Sequence, residues 1–194
     1  MALKERIYSV LTVSSTEKFT SSLSSVLREN RFSPVKTVLS VSQAKRAMLE
    51  RDYDIVIVNS PLPDDFGIKL AIDVCNEKNS VALVFVKADV YPQTYSKVSE
   101  FGVLTLPKPT SPQMVAQALD FVCATRERLR RYEKTVSSVK DKMEEIRTVN
   151  RAKWLLIDVL KMSEEDAHRY IEKQAMDRCL TKSEIARNII NTYK

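Results

Sequence analysis

All seven prolines and both glycines of this 194-residue chain lie at or before Pro112. From there to Lys194 the sequence holds no residue that breaks a helix through its backbone alone. The chain therefore has a punctuated front, cut into short elements, and an uninterrupted back that can only be read as helix and short junction. Composition adds two limits. With 44% apolar and 29% charged residues the chain can bury a core, and two glycines cannot furnish a glycine-rich phosphate loop.

In the front part, short apolar runs alternate with helix-period stretches. Strands are predicted at Ile7–Val13, Val35–Leu39, Ile55–Val58, Val81–Val86 and Val103–Leu106. Helices are predicted at Glu17–Arg28, Gln43–Arg51, Ile68–Glu77 and Tyr91–Glu100, with Ser40 and Gln43 spaced as a capping box. Five alternations imply an α/β fold, a five-stranded parallel sheet with helices on both faces. In such a sheet ligands sit at the carboxyl ends of the strands. The stretch DIVIVNSPLPDDFG places Asn59 at one of those ends, just before a turn set by Pro61, Pro63 and Gly67.

The back part opens at Ser111-Pro112, an N-cap followed by proline at the first helical position. Apolar residues then recur at heptad spacing: Val122, Leu129, Val136 and Met143 in one register, Tyr132, Val139 and Ile146 in the other. That spacing predicts a coiled-coil seam within a long helix. Asn150 takes the next seam position and Lys153 ends the seam. A helix from Pro112 to about Leu160 would be about 70 Å long, and one apolar stripe on it asks for a partner, most simply a parallel second copy. Two further helices follow, started by Ser163 with Asp166 and by Thr181 with Glu184. Ala167, Tyr170, Ile171 and Ala175 would form the apolar face of the first, and Ile185, Ala186 and Ile189 that of the second.

Charge follows the same division. Residues 1–125 hold 14 Lys+Arg against 13 Asp+Glu, whereas residues 126–194 hold 17 against 12. The basic excess of the tail points towards nucleic acid. Cys75, Cys123 and Cys179 lie far apart and His168 is the single histidine, so buried, reduced thiols and no metal site are expected. The start, MALKERIYSV, lacks a leader's apolar run and no stretch suffices to cross a membrane. A cytoplasmic protein without a cofactor is expected.

The front part resembles the receiver domain of two-component response regulators, through Pro63 and Gly67 of the P-x-x-x-G turn and through Lys108-Pro109. The resemblance implies an acidic pair for magnesium after the first strand and a phosphoryl-accepting aspartate after the third. It also implies a hydroxyl after the fourth strand and a lysine after the fifth. Here those places hold Ser14 and Ser15, Asn59, Lys87 and Lys108, and Thr105 stands where many receivers carry a switching aromatic. Serines offer magnesium no charge and an amide is no phosphoryl nucleophile. The expectation is a pseudo-receiver over residues 1–125, whose pocket is left to a frozen scaffold, a regulatory protein, or a small anion or metabolite.

The stretch from Val149 to Ile190 resembles the ANTAR domain of transcription antitermination regulators. The match is carried by Ala152-Lys153, Leu156, Glu165, Ala167, Tyr170, Ile171, Ala175-Met176 and Ile185-Ala186. It departs at Trp154, where a small residue is common and where packing at the helix junction is expected, and at Lys161-Met162, where glycine is common. The resemblance implies dimeric binding to hairpins of leader or nascent RNA by a three-helix bundle over residues 131–194. The seam over 112–150 would supply the dimer through Leu129, Tyr132, Val136, Val139, Met143 and Ile146. Lys153 is the foremost RNA-binding candidate, joined by Arg151, Lys173, Arg178 and Lys182, with Arg169 and Arg187 adding charge. Two rivals stand beside an antitermination regulator free of aspartyl phosphorylation: a protein-interaction adaptor, and a DNA-binding transcription regulator. An enzyme is disfavoured by the lone histidine and the missing carboxylates.

Overall fold

The computed structural model describes residues 6–77 and 80–193, in two compact units, Met1–Arg130 and Arg131–Lys194. In the first unit a parallel sheet of order β2-β1-β3-β4-β5 is formed by β1 (Tyr8–Val13), β2 (Phe32–Val38), β3 (Ile55–Asn59), β4 (Val81–Lys87) and β5 (Leu104–Lys108). The helices α1 (Glu17–Ser24), α2 (Val41–Glu50), α3 (Ile68–Glu77) and α4 (Tyr91–Val98) connect the strands in turn. The 49-residue α5 (Pro112–Leu160) then begins. The β-branched runs of β1, β3 and β4 pair in register, Val10 with Ile55 and Ile55 with Val81, and are buried on both faces as parallel strands require. One face packs on α2, α3 and α4 through Ala44, Leu70, Val74 and Val98; the other packs on α1 and α5 through Leu23, Leu119 and Val122.

Local chemistry explains where elements depart from expectation. The strand β2 starts earlier than Val35 and runs through Pro34, which an edge strand tolerates because one side of its ladder is open. The first helix stops at Ser24, short of Arg28. There the hydroxyls of Ser24 and Ser25 donate to the carbonyls of Ser21 and Ser22, competing with the helix ladder. After α4 a single 3₁₀ turn, Ser99–Phe101, ends on Gly102 with a left-handed φ of 75°. At Ser40 only half of the capping box forms. Its side chain accepts from the Gln43 N–H, whereas the Gln43 side chain accepts from Leu39.

The first turns of α5 are core rather than seam. Val122 is fully buried in the first unit and Leu129 packs against the same cluster, so the stripe expected to be open at these two positions is already occupied. Below the sheet Asp54 joins the elements. Its Oδ2 accepts from the Ser9 N–H and hydroxyl, both at 3.1 Å, and its Oδ1 accepts from Arg126 Nε at 3.1 Å and Arg130 Nη2 at 2.6 Å. Burial alone would raise this carboxyl, but the bonds from Ser9 and the Arg130 guanidinium outweigh it and hold it below the usual range.

The second unit packs the end of α5 against α6 (Glu164–Asp177) and α7 (Lys182–Thr192). Ala152 and Leu156, Ala167, Ile171 and Ala175, and Ile185, Ala186 and Ile189 form its core. Tyr170 stands exposed at the rim instead of joining that face. The caps form as read: Ser163 accepts from the Asp166 N–H, and Thr181 with Glu184 completes a reciprocal box. The junctions use left-handed residues, Lys161 at φ 52° and Cys179 at φ 53°. At Cys179 the two bonds of a Schellman motif are present, Leu180 N–H to Ala175 and Cys179 N–H to Met176. Cys123 is buried and Cys75 half-buried, but Cys179 is an exposed thiol, unlike the buried one expected. No helix among the described residues is long and apolar enough to cross a membrane.

Candidate nucleic-acid interface and remodelled strand-end pocket

The carboxyl ends of β1, β3, β4 and β5 bring together Ser14, Asn59 and Lys108, with Lys87 beside them. Asn59 is buried and both ends of its amide are engaged. Its Nδ2 donates to Ser14 Oγ at 3.0 Å and its Oδ1 accepts from Lys108 Nζ at 2.5 Å. The Ser14 hydroxyl oxygen also accepts from the Thr16 N–H at 3.2 Å, and the ammonium donates again to the Ser60 carbonyl at 2.6 Å. Ser15 is exposed and outside this relay. Burial, with Lys87 as a second cause, pulls the Lys108 ammonium below the ordinary lysine range.

This donor set does not fit magnesium. The ion needs carboxylate oxygens, and the described residues hold no cluster of His, Cys, Asp or Glu that could bind a metal. An ammonium already occupies the amide oxygen that stands in for the phosphoryl acceptor. Chemically the relay can fix Asn59 and hold a positive charge near the surface; it cannot accept a phosphoryl group. Thr105, at the switching position, is buried, and its hydroxyl has no hydrogen-bond partner among the described residues.

In the second unit the proposed RNA-contacting cations separate into two groups. Lys153 is largely shielded, and its Nζ sits 3.0 Å from Glu164 Oε1, bracing α5 against the first turn of α6. Lys182 Nζ lies 2.5 Å from Glu172 Oε1, tying α7 to α6. His168 is a surface residue of α6, 3.2 Å from the same Glu172. Arg151, Lys173 and Arg178 are exposed, as are Arg169, which pairs with Glu165, and Arg187.

Trp154 is 70% exposed. It does not pack into the helix junction as its size suggested. Residues three, four and seven apart share a helix face, so Trp154 stands over Arg151 and Arg147. It also follows Val136 by about five turns. The same side of α5 therefore carries Tyr132, Val136, Val139, Met143 and Ile146, all 51–61% exposed, and then passes into an aromatic residue flanked by arginines. Arg147 is the member that sequence reasoning left out, although its spacing to Arg151 and Trp154 was legible. The Asp54–Arg126–Arg130 cluster was also missed, and no local spacing signals it.

Comparison with known proteins covers both units. Residues 137–190 match the family model of the ANTAR domain. Over 171 residues the chain is 25% identical to the transcriptional regulatory protein PdtaR of Mycobacterium tuberculosis, covering 88% of this chain and 83% of that protein. The solved structure of an adenylate cyclase from Rhodopirellula baltica matches at TM-score 0.60 and 18% identity, over 67% of this chain and 97% of that one. The signal receiver domain of an HD domain-containing protein from Pseudomonas fluorescens Pf-5 matches at TM-score 0.56 and 19% identity, over 69% and 96%. At these identities the two structures speak to the fold of the front part alone.

Proposed function

We propose that this ANTAR response regulator, a receiver-like domain joined to an RNA-binding module of the antitermination type, grips hairpins of nascent RNA as a homodimer without control by aspartyl phosphorylation. One observation carries the reading. Within the residues that match the ANTAR domain, α5 presents an exposed indole beside two arginines on one face. Hairpin loops offer unpaired bases that stack on aromatic side chains, while guanidinium groups neutralise the adjoining phosphates. Trp154 with Arg147 and Arg151 replaces Lys153 as the centre of the interface, because the lysine is committed to Glu164.

The stripe from Tyr132 to Ile146 supports the dimer, since a parallel second copy would cover five exposed apolar residues on each chain. Two hairpins on one transcript then bind more tightly than one, because the second contact is intramolecular. The Ser14–Asn59–Lys108 relay supports independence from phosphorylation, and the chain acts by binding, with no catalysis of its own. A cytoplasmic location fits a protein that meets nascent RNA.

A salt titration on one- and two-hairpin RNAs tests this reading. Affinity should fall steeply with salt, each phosphate contact adding about 0.7–0.9 to the log–log slope. Incubation with a small phosphodonor and magnesium should leave both the intact mass and the affinity unchanged. Equal, salt-insensitive affinity for hairpin and unstructured RNA would hand the case to the adaptor reading, and tighter binding to duplex DNA to the DNA-binding one.

A further inference from the structure

We propose that the cavity between α1 and the start of α5 binds a small organic monocarboxylate, a compact apolar body carrying a single negative charge. The cavity has a volume of about 400 Å³, within the roughly 300–1,000 Å³ that ligand sites occupy. Its walls are mostly apolar, with Phe19 and Leu23 of α1 and Val26 just beyond that helix facing Val115 of α5. Asn59 and Lys108 form one polar end, and Thr16, Lys18, Ser22 and Thr110 add further polar groups to the lining.

The charge at that end is uncompensated. Lys108 donates to the Asn59 amide oxygen and the Ser60 carbonyl, both neutral. No carboxylate among the described residues pairs with it, and the like-signed Lys87 acts on it. An ammonium has three protons to donate, and these bonds use two. Lys108 is half-buried, and even partial burial of a cation without a counter-charge has a cost, so a ligand supplying one anionic acceptor relieves the site. A phosphate dianion has no apolar body to fill the space between Phe19, Leu23, Phe85 and Val115. A neutral apolar molecule would leave the ammonium uncompensated. One charge and an apolar body match both ends.

The cavity lies wholly within the first unit, so this proposal and the RNA reading fail independently. The test titrates the full-length protein by calorimetry with phenylacetate and hexanoate, and with phenethyl alcohol, phenethylamine and inorganic phosphate as contrasts. Saturable binding of at least one acid is expected, with the alcohol, the amine and phosphate each at least about tenfold weaker. Lys108→Gln, which keeps a donor but no charge, should weaken the acid at least about tenfold. Val26→Trp, which fills the apolar end, should abolish binding while unfolding cooperatively like the parent. The proposal is overturned if neither acid saturates, if alcohol or amine binds as tightly as acid, or if phosphate alone equals the acids. An unchanged affinity in a folded Lys108→Gln or Val26→Trp protein overturns it equally.

Discussion

The strand-end pocket of the first unit and the arginine–tryptophan face of the second both occupy places where their families put chemistry, yet they treat polar groups in opposite ways. In the pocket Ser14 and Lys108 engage both ends of the Asn59 amide, which is no phosphoryl nucleophile, and Lys108 alone keeps a charge without a counter-ion. On α5 the family-matching lysine is shielded and paired with Glu164, while Trp154 and Arg151 near it remain open to solvent. A residue type at a family position marks a working site only where its hydrogen-bonding or stacking capacity is left over. Under the proposed function, that criterion favours Trp154 over Lys153 as the centre of the RNA interface.

The comparison breaks most visibly at the stripe that both protomers would share. Val136 and Met143 are half exposed in one chain, so burying the remaining half of each contributes roughly 0.8–1.5 kcal/mol. Val136→Asp with Met143→Asp should therefore cost at least about 1.5–3 kcal/mol per protomer, with the burial of two carboxylates added to it. Sedimentation should show a monomer that retains the parent's helical content. A double variant that stays dimeric would show that the partner covers another face. The same monomer should lose the preference for two hairpins over one while keeping single-hairpin affinity, which separates the dimer seam from the RNA face.

A second, smaller effect tests how α5 is tied to the sheet. Asp54 is held as a carboxylate by Ser9, Arg126 and Arg130. Its folded-state pKa is lowered, so its contribution is fully present above the unfolded value of about 4 and is lost as pH falls through the folded one. Asp54→Ala should destabilise the first unit by about 2–4 kcal/mol, because Arg126 and Arg130 each lose a shielded carboxylate and Arg130 is left with Glu127. Circular dichroism across an acid titration should show a steeper loss of stability below pH ~4 for the parent than for the variant. Parallel curves would mean that the cluster is not what confers the acid sensitivity. The chemistry of the strand-end pocket should be untouched, since Asp54 lies before β3 and Asn59 at its far end.

Much of this architecture was legible because its signals are local. Apolar β-branched runs such as Ile55–Val58 announce strands, and Ser163 and Thr181 announce helix starts three residues ahead of their partners. The places of Ser14, Asn59, Lys87 and Lys108 at strand ends were legible too, whereas Ser15, read as part of the same pocket, is exposed and outside it. What escaped depends on orientation or on distant partners. The spacing that put Val122 and Leu129 on a heptad seam does not reveal that the sheet claims that face first. Asp54 meets Arg126 and Arg130 across more than seventy positions of chain, where no periodicity helps. Trp154 looked like core because of its size. Its phase on α5, in line with Val136 and away from Leu156, was the better guide.

The RNA face sharpens the comparison at intermediate scale. Trp154→Ala should weaken hairpin binding by about 1–3 kcal/mol, the usual worth of one stacked base. Arg151→Ala should lower the salt slope by about 0.7–0.9 if it meets a phosphate. Lys153→Ala should act differently. It should lower the thermal stability of the second unit by up to about 1 kcal/mol, through the lost Glu164 pair and stem packing, and leave the salt slope near that of the parent. Fluorescence of the single tryptophan should change on RNA addition, offering a direct readout. If Lys153→Ala flattens the slope and Trp154→Ala does nothing, the leftover-capacity criterion is wrong for this module.

The smallest effect concerns the junction that sets the angle of α6. Lys161 follows the last residue of α5 and adopts φ 52°, a left-handed conformation that costs a non-glycine residue roughly 1–2 kcal/mol. The ANTAR resemblance puts glycine at this place, and the geometry gives the reason: without a Cβ the turn is free of that strain. Its side chain is exposed, and its nearest carboxylate, Asp158, stands at 3.9 Å, a surface contact of little weight. Lys161→Gly should therefore relieve strain while gaining unfolded-chain entropy worth about 0.4–1 kcal/mol in the opposite direction. The balance is a stabilisation of about 0.5–1 kcal/mol, readable as a raised denaturation midpoint with unchanged slope. Lys161→Ala retains the strain and removes the charge, so it should leave the midpoint where it is. If alanine stabilises as much as glycine, the left-handed turn is not strained. The family's preference for glycine there would then reflect what must approach the junction rather than how the chain bends.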